Sequence, residues 1–337
     1  MTALVIGGAG YIGSHMVRWL TEHGEPCVVL DNLSTGHPEA VDVPLVRCDL
    51  RDAGALRDAL IQIRPSIVFH FAALALVGES VRQPLAYYEN NFLGTLNLVK
   101  AMHAAGTRRL VFSSTCAVYG VPSSDVIDEA HARNPINPYG ASKLACENLL
   151  EDCARAGDLS VVALRYFNAA GAHSSGELGE SHEPETHLIP SALRAVLGQA
   201  KKLTVFGQDY PTPDGTCIRD YIHVEDLAQA HGAAMHWLRD HDGWQAINLG
   251  TELGTSVIQV LRRVSEIAGR VVPHVLSERR HGDPPKLVAS AAKAREILGW
   301  IPAHDLGSIV QSAWRWHQGR GIEVTKPVPA SVSMLPR

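Results

Sequence analysis

The segment Gly7-Gly8-Ala9-Gly10-Tyr11-Ile12-Gly13 constrains this chain more than any other stretch of it. It lies between a short apolar run, Ala3–Ile6, and a pattern in which Ile12, Met16, Trp19 and Leu20 recur at helical spacing. Gly7, Gly10 and Gly13 permit a tight turn and let backbone amides approach a diphosphate; the start of the following helix adds unpaired N–H groups and partial positive charge. Glycine clusters also arise from plain turn chemistry, and it is the strand–turn–helix setting that makes this one a dinucleotide fingerprint. Asp31 closes the next apolar run eighteen residues after Gly13, where such folds place the carboxylate that holds the adenosine ribose diol. Its charge repels a 2′-phosphate. Asn32-Leu33-Ser34-Thr35-Gly36-His37 supplies no Lys or Arg to reverse that preference, so NAD is favoured over NADP. The plain alternative is a solvated turn aspartate. Asp49, after a third run, could face the adenine in the same way.

Short β-branched or apolar runs alternate with helical patterns through the first half, which predicts an α/β fold with a Rossmann-type, doubly wound parallel sheet. The expected strands are Ala3–Ile6, Cys27–Leu30, Leu45–Cys48, Ile67–Phe71, Leu110–Ser113 and Ser160–Leu164. Asp52 is placed to cap a helix carrying Leu56, Leu60 and Ile63, and Val81–Ala104 reads as one longer helix entered near Pro84. Beyond about residue 170 the texture changes. Gly171–Pro184 and Gly207–Gly215 have loop compositions, and helical patterns return at Val224–Leu238, Ser256–Ala268, Ala291–Leu298 and Leu306–His317. The expected organisation is an NAD-binding domain over 1–170 and a smaller α/β substrate-binding domain over 171–325, with part of 220–250 returning to the first. The proline-bearing tail, 326–337, is expected to fray.

Composition closes off other classes. With 337 residues, folding buries enough surface that neither disulfides nor a structural metal is required. Acidic residues outnumber basic ones, 35 to 30, and the basic residues are scattered, which argues against a nucleic-acid partner. The six cysteines form no CxxC pair and read as reduced thiols of a cytoplasmic protein. Met1–Ile6 runs straight into glycines without the basic start of a signal peptide, and no run of about twenty apolar residues offers a membrane span. His182-Glu183-Pro184-Glu185-Thr186-His187 comes nearest to a zinc motif. Its histidines are five apart rather than four and Pro184 opposes the aligning helix, so no metal is expected.

Tyr139-Gly140-Ala141-Ser142-Lys143 sets a phenol and an ammonium four residues apart on one helix face. A free tyrosine, with a pKa of about 10, is a poor base near neutrality. A neighbouring cation, from Lys143 or from oxidised nicotinamide, favours the phenolate. YxxxK alone is weak and commonly marks an exposed face. Joined to the glycine loop and to Ser113-Ser114-Thr115 at the end of a strand, it makes a group able to manage the proton of a carbinol while a hydride leaves.

On these residues the chain resembles the extended short-chain dehydrogenase/reductase family, on its sugar-nucleotide epimerase branch. The resemblance runs from Gly7 to about His317 and rests on Gly7–His15 (GGAGYIGSH), Asp31–Leu33, His70–Ala73 (HFAA), Val77–Ser80 (VGES), Tyr87–Asn91 (YYENN), Phe112–Thr115, Pro138–Lys143 (PYGASK), Arg165–Asn168 (RYFN), Asp209–Thr216 and Arg219–Val224 (RDYIHV). It implies an isomerase that interconverts UDP-glucose and UDP-galactose with tightly bound NAD. Tyr139, assisted by Thr115 and Lys143, takes the 4-hydroxyl proton; the 4-keto sugar turns over and receives its hydride on the other face. Besides the glycines and Asp31, the cofactor contacts so implied are Tyr11, Ile12, Asn32, Asp49 and Leu50. Further along come Phe71, Ala72, Ala73, Asn90, Ser113 and Tyr166, with Tyr139 and Lys143. On the substrate side, Asn168, Arg219 and Arg280 would hold the diphosphate and Asp283 the uridine ribose. His187 and Leu188 lie near the phosphates, and Phe206 and Tyr221 shape the pocket. Arginine suits phosphate because its fork donates two hydrogen bonds.

The departures from that family's pattern are informative. Ala75 stands where many relatives carry Lys, and His187 where others carry Asn. Leu287 occupies a position where size governs room for a 2-N-acetyl group; leucine implies partial room, hence UDP-N-acetylhexosamines as side substrates. A UDP-pentose or UDP-uronate 4-epimerase is chemically close. A 4,6-dehydratase needs an acid–base pair after the active-site hydroxyl, where this chain has Cys116 and Ala117. An NAD-sensing regulator would have no use for Tyr139 and Lys143. The resemblance also implies a homodimer through Val81–Ala104 and Tyr139–Ala154.

Overall fold

A computed structural model describes residues 2–280 and 283–319. The first half alternates strand and helix: β1 (Ala3–Ile6), α1 (Tyr11–Glu22), β2 (Cys27–Asp31), β3 (Leu45–Arg47), α2 (Ala53–Ile63) and β4 (Ile67–His70). After β4 come α3 (Val77–Arg82), α4 (Pro84–Tyr87), α5 (Gly94–Ala105), β5 (Arg109–Thr115), α6 (Pro138–Arg155) and β6 (Ser160–Tyr166). Asp52 caps α2, its Oδ1 accepting from the Ala55 amide at 3.0 Å. Met16 and Leu20 bury the inner face of α1.

The second half contributes β7 (Asn168–Ala170), α7 (Leu188–Val196), β8 (Leu203–Phe206) and β9 (Ile218–His223). Next come α8 (Val224–Asp240) and β10 (Trp244–Leu249), which return to the first unit: β10 pairs in parallel with β6, and α8 packs beside α1. The rest is β11 (Gly254–Ser256), α9 (Val257–Ala268), β12 (His274–Ser277), β13 (Lys286–Leu287), α10 (Ala292–Leu298) and α11 (Leu306–Gly319). The expected tail, 326–337, lies outside the described residues.

The main sheet is parallel throughout, in the order β3-β2-β1-β4-β5-β6-β10. Apolar side chains from both of its faces form two cores, one beneath α1 and α8 and the other beneath α2, α5 and α6. The order reverses between β1 and β4, and in such sheets that switch point opens a crevice at the carboxyl ends of the strands. Around β9 a second sheet gathers β7, β11 and β13, and a third core lies between it and α7, α9 and α11.

Several boundaries differ from expectation. β3 ends at Arg47 rather than Cys48 and β4 at His70 rather than Phe71, whereas β5 and β6 run on to Thr115 and Tyr166. Those two residues are register partners, so continued ladder pairing carries both to the carboxyl edge. Val81–Ala104 is not one helix. Pro84 disfavours helical backbone at the residue before it; α3 therefore stops and Gln83 adopts φ −131°, ψ 56°. A π-helical turn then spans Tyr88–Leu93 before α5. Its wider winding turns Asn91 inward, where Oδ1 accepts from the Leu74 amide at 2.8 Å and Nδ2 donates to Ser142 Oγ at 3.1 Å. That one side chain ties the loop after β4 to α6.

Candidate active site

A cavity of about 1330 Å³ opens along the carboxyl edge of the main sheet and continues to β9, β13 and α7, and every site residue singled out in the sequence lines it. It exceeds the 300–1,000 Å³ typical of one small-ligand pocket, leaving room for two nucleotide-sized molecules.

The floor at one end is the glycine turn. A Cβ on Gly7 would sit 2.6 Å from the Ala72 amide nitrogen, and one on Gly13 2.1 Å from the Gly7 carbonyl oxygen, so no larger residue fits. Gly10 precedes α1 and no side chain caps that helix, so its first amides face the cavity with hydrogen bonds to give. Asp31 Oδ2 accepts from the Ala9 amide at 3.0 Å and Oδ1 from the Leu33 amide at 2.8 Å. Each oxygen keeps a second acceptor site, and Gly36 leaves clear the space above them that a Cβ would enter at 3.1 Å. Bare amides for a diphosphate and a fixed carboxylate for a diol fit NAD.

Other cofactor candidates already have protein partners. Asp49 is paired with Arg51 at 2.8 Å and accepts from Asn32 at 3.0 Å, and the Arg51 hydrogen bonds hold its carboxyl well below the usual range. Tyr11 donates to the Gly171 carbonyl at 2.7 Å, Asn90 to Asn91 at 3.1 Å, and the Ser113 and Tyr166 hydroxyls bond each other.

Above the sheet, Asn137 caps α6 with Oδ1 accepting from the Gly140 amide at 2.9 Å, and Pro138 occupies the first turn. Gly140 allows this helix start to press against the turn after β5, since a Cβ there would meet the Ala117 carbonyl oxygen at 2.5 Å. Tyr139 is thereby brought beside Thr115. Its phenol titrates higher than the sequence suggested: burial raises it to about 12, against the lowering effect of Thr115. Lys143 does not offset the burial. Its Nζ lies 4.3 Å over the Phe112 ring, deeply buried, and burial pushes its own pKa down to about 8 against the pull of Cys146 and Glu147.

The sequence reading missed what holds α6 in place. Glu147 is fully buried and pairs with Arg165 through Nη2–Oε2 at 2.6 Å and Nε–Oε1 at 2.9 Å, while Ser114 donates to Oε1 at 2.5 Å. Arg165 also donates to the Tyr119 hydroxyl at 2.8 Å. The available signal was a carboxylate four residues after Lys143 on the same helix face.

At the far end, Arg219 and Asp283, given separate roles above, are ion-paired at 2.8 Å, and Arg219 also donates to the Pro284 carbonyl at 2.9 Å. The Arg280 guanidinium stacks 4.0 Å over Phe206, and Asn168 donates to the Asp220 carbonyl at 3.0 Å. Tyr221 is buried, its phenol pushed up by burial. Leu287 pairs in register with Arg219. His187 precedes α7, Leu188 begins it, and the His187 ring is hydrogen-bonded to Glu180. Glu180, His182 and Arg82 also line the cavity and were not anticipated.

Comparison with known proteins agrees with this geometry. The model of the NAD-dependent epimerase/dehydratase family matches residues 3–250. A UDP-glucose 4-epimerase of Rhizobium leguminosarum bv. trifolii is 50% identical over 317 residues, 94% of this chain and 97% of the relative. A crystal structure of UDP-glucose 4-epimerase from Brucella ovis in complex with NAD superposes with a TM-score of 0.91 at 50% identity, covering 93% of this chain and 97% of that one. That of the Bifidobacterium longum UDP-glucose 4-epimerase with NAD+ and UDP gives 0.91 at 37% identity, covering 95% and 99%. This chain belongs to the NAD-dependent epimerase/dehydratase family.

Proposed function

We propose that the chain interconverts UDP-glucose and UDP-galactose by transient oxidation at C4. The single observation that carries the reading is one continuous cavity joining the glycine turn, the Thr115–Tyr139–Lys143 group and the Arg219–Asp283–Arg280 cluster. When bound, NAD accepts the C4 hydride and returns it. Tyr139 receives the O4 proton through its phenol oxygen, with the Thr115 hydroxyl beside it. Arg219 and Arg280 hold the diphosphate, Asn168 and His187 donate to it, and Asp283 faces the uridine ribose. Burial keeps the phenol protonated in the protein alone, so its activation waits for a cationic ring in the cofactor site. Residues 1–170 thus serve the dinucleotide, with Asn168 at their end reaching the substrate, and 171–325 the UDP-sugar, with α8 and β10 returned to the first group. In the deciding experiment the purified protein receives UDP-galactose without added NAD. UDP-glucose should form, and NAD should appear on denaturation; a cofactor-free protein that turns over no UDP-sugar even with NAD supplied contradicts the reading.

Lys143 predicts the alkaline limb of the pH profile. Its ammonium is intact below about 8 and lost above it, so kcat/KM should fall as pH rises through about 8. The same group acts oppositely on stability: burying the cation costs most below about 8, and that cost is relieved between about 8 and the ordinary 10.5. Activity loss in that window with unfolding free energy unchanged or rising, followed by kinetics and denaturation in parallel, would separate this effect from alkaline unfolding.

The rim around Leu287 bears on substrate range. Leu287 packs against the small core of Val118, Tyr119 and Phe167 and is partly exposed to the cavity. We expect slow conversion of UDP-N-acetylglucosamine, and at least a tenfold loss of it in Leu287→Tyr with UDP-galactose turnover largely kept. Product ratios with the two sugars check this directly.

The protein is further proposed to be a cytoplasmic homodimer. Its six cysteines are all unpaired, and no helix among the described residues is long and apolar enough to cross a membrane. Val81 and Leu85 leave apolar side chains 64% and 75% exposed on α3 and α4, a surface suited to a second copy meeting it alongside α6. Sedimentation would report the mass.

A further inference from the structure

We propose that Glu180, His182, Glu185 and His187 form a binding site for a divalent transition-metal ion of the zinc class. The five-residue spacing of the two histidines argued against a helical motif, but the ligands do not sit on a helix. They lie on the loop leading into α7, and one donor atom from each of the four falls within 4.8 Å of the others. His182 Nδ1 is 3.1 Å from Glu180 Oε1 and 3.9 Å from Glu185 Oε2. A tetrahedral zinc with bonds of about 2.0–2.1 Å has ligand–ligand edges of about 3.3 Å, so these separations close onto an ion with small side-chain shifts.

A second observation points to a ligand. The Glu185 side chain is only 2% exposed, and its Oε2 has no hydrogen-bond partner although it points into the cluster. A buried carboxylate oxygen left bare is costly, and a cation at the cluster centre would satisfy it. Backbone contacts hold its other oxygen, which accepts from the Thr186 and His187 amides at 2.8 and 2.9 Å. The loop itself is pinned by Trp316 Nε1 donating to the Glu180 carbonyl at 2.9 Å and by Arg194 donating to the His182 carbonyl at 3.1 Å.

The donor set defines the ion. Two imidazole nitrogens and two carboxylate oxygens match zinc and its neighbours, whereas magnesium and calcium prefer oxygen alone. Two carboxylates and two neutral imidazoles around a dication sum to zero charge, which leaves neither of the two buried carboxylates uncompensated. Four protein ligands close the coordination sphere, which is the pattern of a structural ion rather than a hydrolytic one. The ion would lie beside the Tyr11 ring, whose centroid is 6.2 Å from that of His182, and would brace the loop at the mouth of the cavity.

The test uses the tag-free, cofactor-bound protein, stripped with a chelator and titrated with zinc against a chromophoric competitor. Expected are one zinc per chain, bound at least tenfold more tightly than by any remaining histidine, a raised unfolding temperature, and no competition from magnesium or calcium. His182→Ala and Glu185→Gln should each weaken that binding at least tenfold and abolish the temperature shift while retaining bound NAD and the circular-dichroism spectrum. His304→Ala, which alters the His223–Glu225–His304 cluster elsewhere, should leave binding unchanged. A tight site that survives both loop substitutions, one lost in His304→Ala, or no saturable zinc binding would overturn the proposal.

Discussion

Replacing Tyr139 by phenylalanine should lower kcat by about 10²–10⁴-fold, the range for removing a positioned general acid–base, while leaving NAD content and UDP-sugar affinity nearly unchanged. The aromatic ring stays in its slot, edge-on to Tyr87 at 6.4 Å, and only the hydroxyl that meets Thr115 is lost. Removing a phenol pushed up to about 12 costs the fold little, because its buried hydroxyl was neutral in the protein alone. Turnover assays with a quantified dinucleotide content separate this outcome from a folding defect. Activity near the parent level would mean that another group moves the O4 proton.

The second large effect concerns the fold. Glu147→Ala should destabilise the protein by about 3–5 kcal/mol, because it strands the buried Arg165 guanidinium without its counter-charge. Activity should suffer as well, since α6 carries Tyr139 and Lys143 and loses its tie to β6. A double replacement by apolar residues, Glu147→Leu with Arg165→Met, should recover most of the loss, as a buried pair is generally no better than a well-packed apolar substitute. Denaturant titration gives both numbers. A single substitution costing under about 1 kcal/mol would show that the pair is not what holds α6.

Much of the architecture was legible because its causes are local. Apolar runs of three to seven residues separated by helical patterns imply crossovers, and the glycines at 7, 10 and 13 mark a turn that no Cβ could enter at Gly7 or Gly13. The break at Gln83 was missed although Pro84 was in plain view, because proline at the start of a helix and proline ending one look alike in sequence. The π-helical turn at Tyr88–Leu93 left no sign in the periodicity at all. Asn91 occupies its buried position through bonds to Leu74 and Ser142, partners 17 and 51 residues away.

The site divides the same way. Which residues could bind a diphosphate, hold a diol or move a proton follows from their chemistry and short-range spacing, and these are present in the chain before it folds. How they are poised does not follow, because desolvation and pairing depend on neighbours distant in sequence. Lys143 seemed able to assist Tyr139 from four residues away, yet burial raises the phenol and depresses the amine. Arg219 and Asp283, 64 residues apart, became partners, and two histidines at an unpromising spacing met two carboxylates in one loop. Sequence determined the inventory and the order of elements through steric and periodic rules acting within a few residues; only the tertiary structure decided charge states and partnerships, because the dielectric around a group is set by everything packed against it.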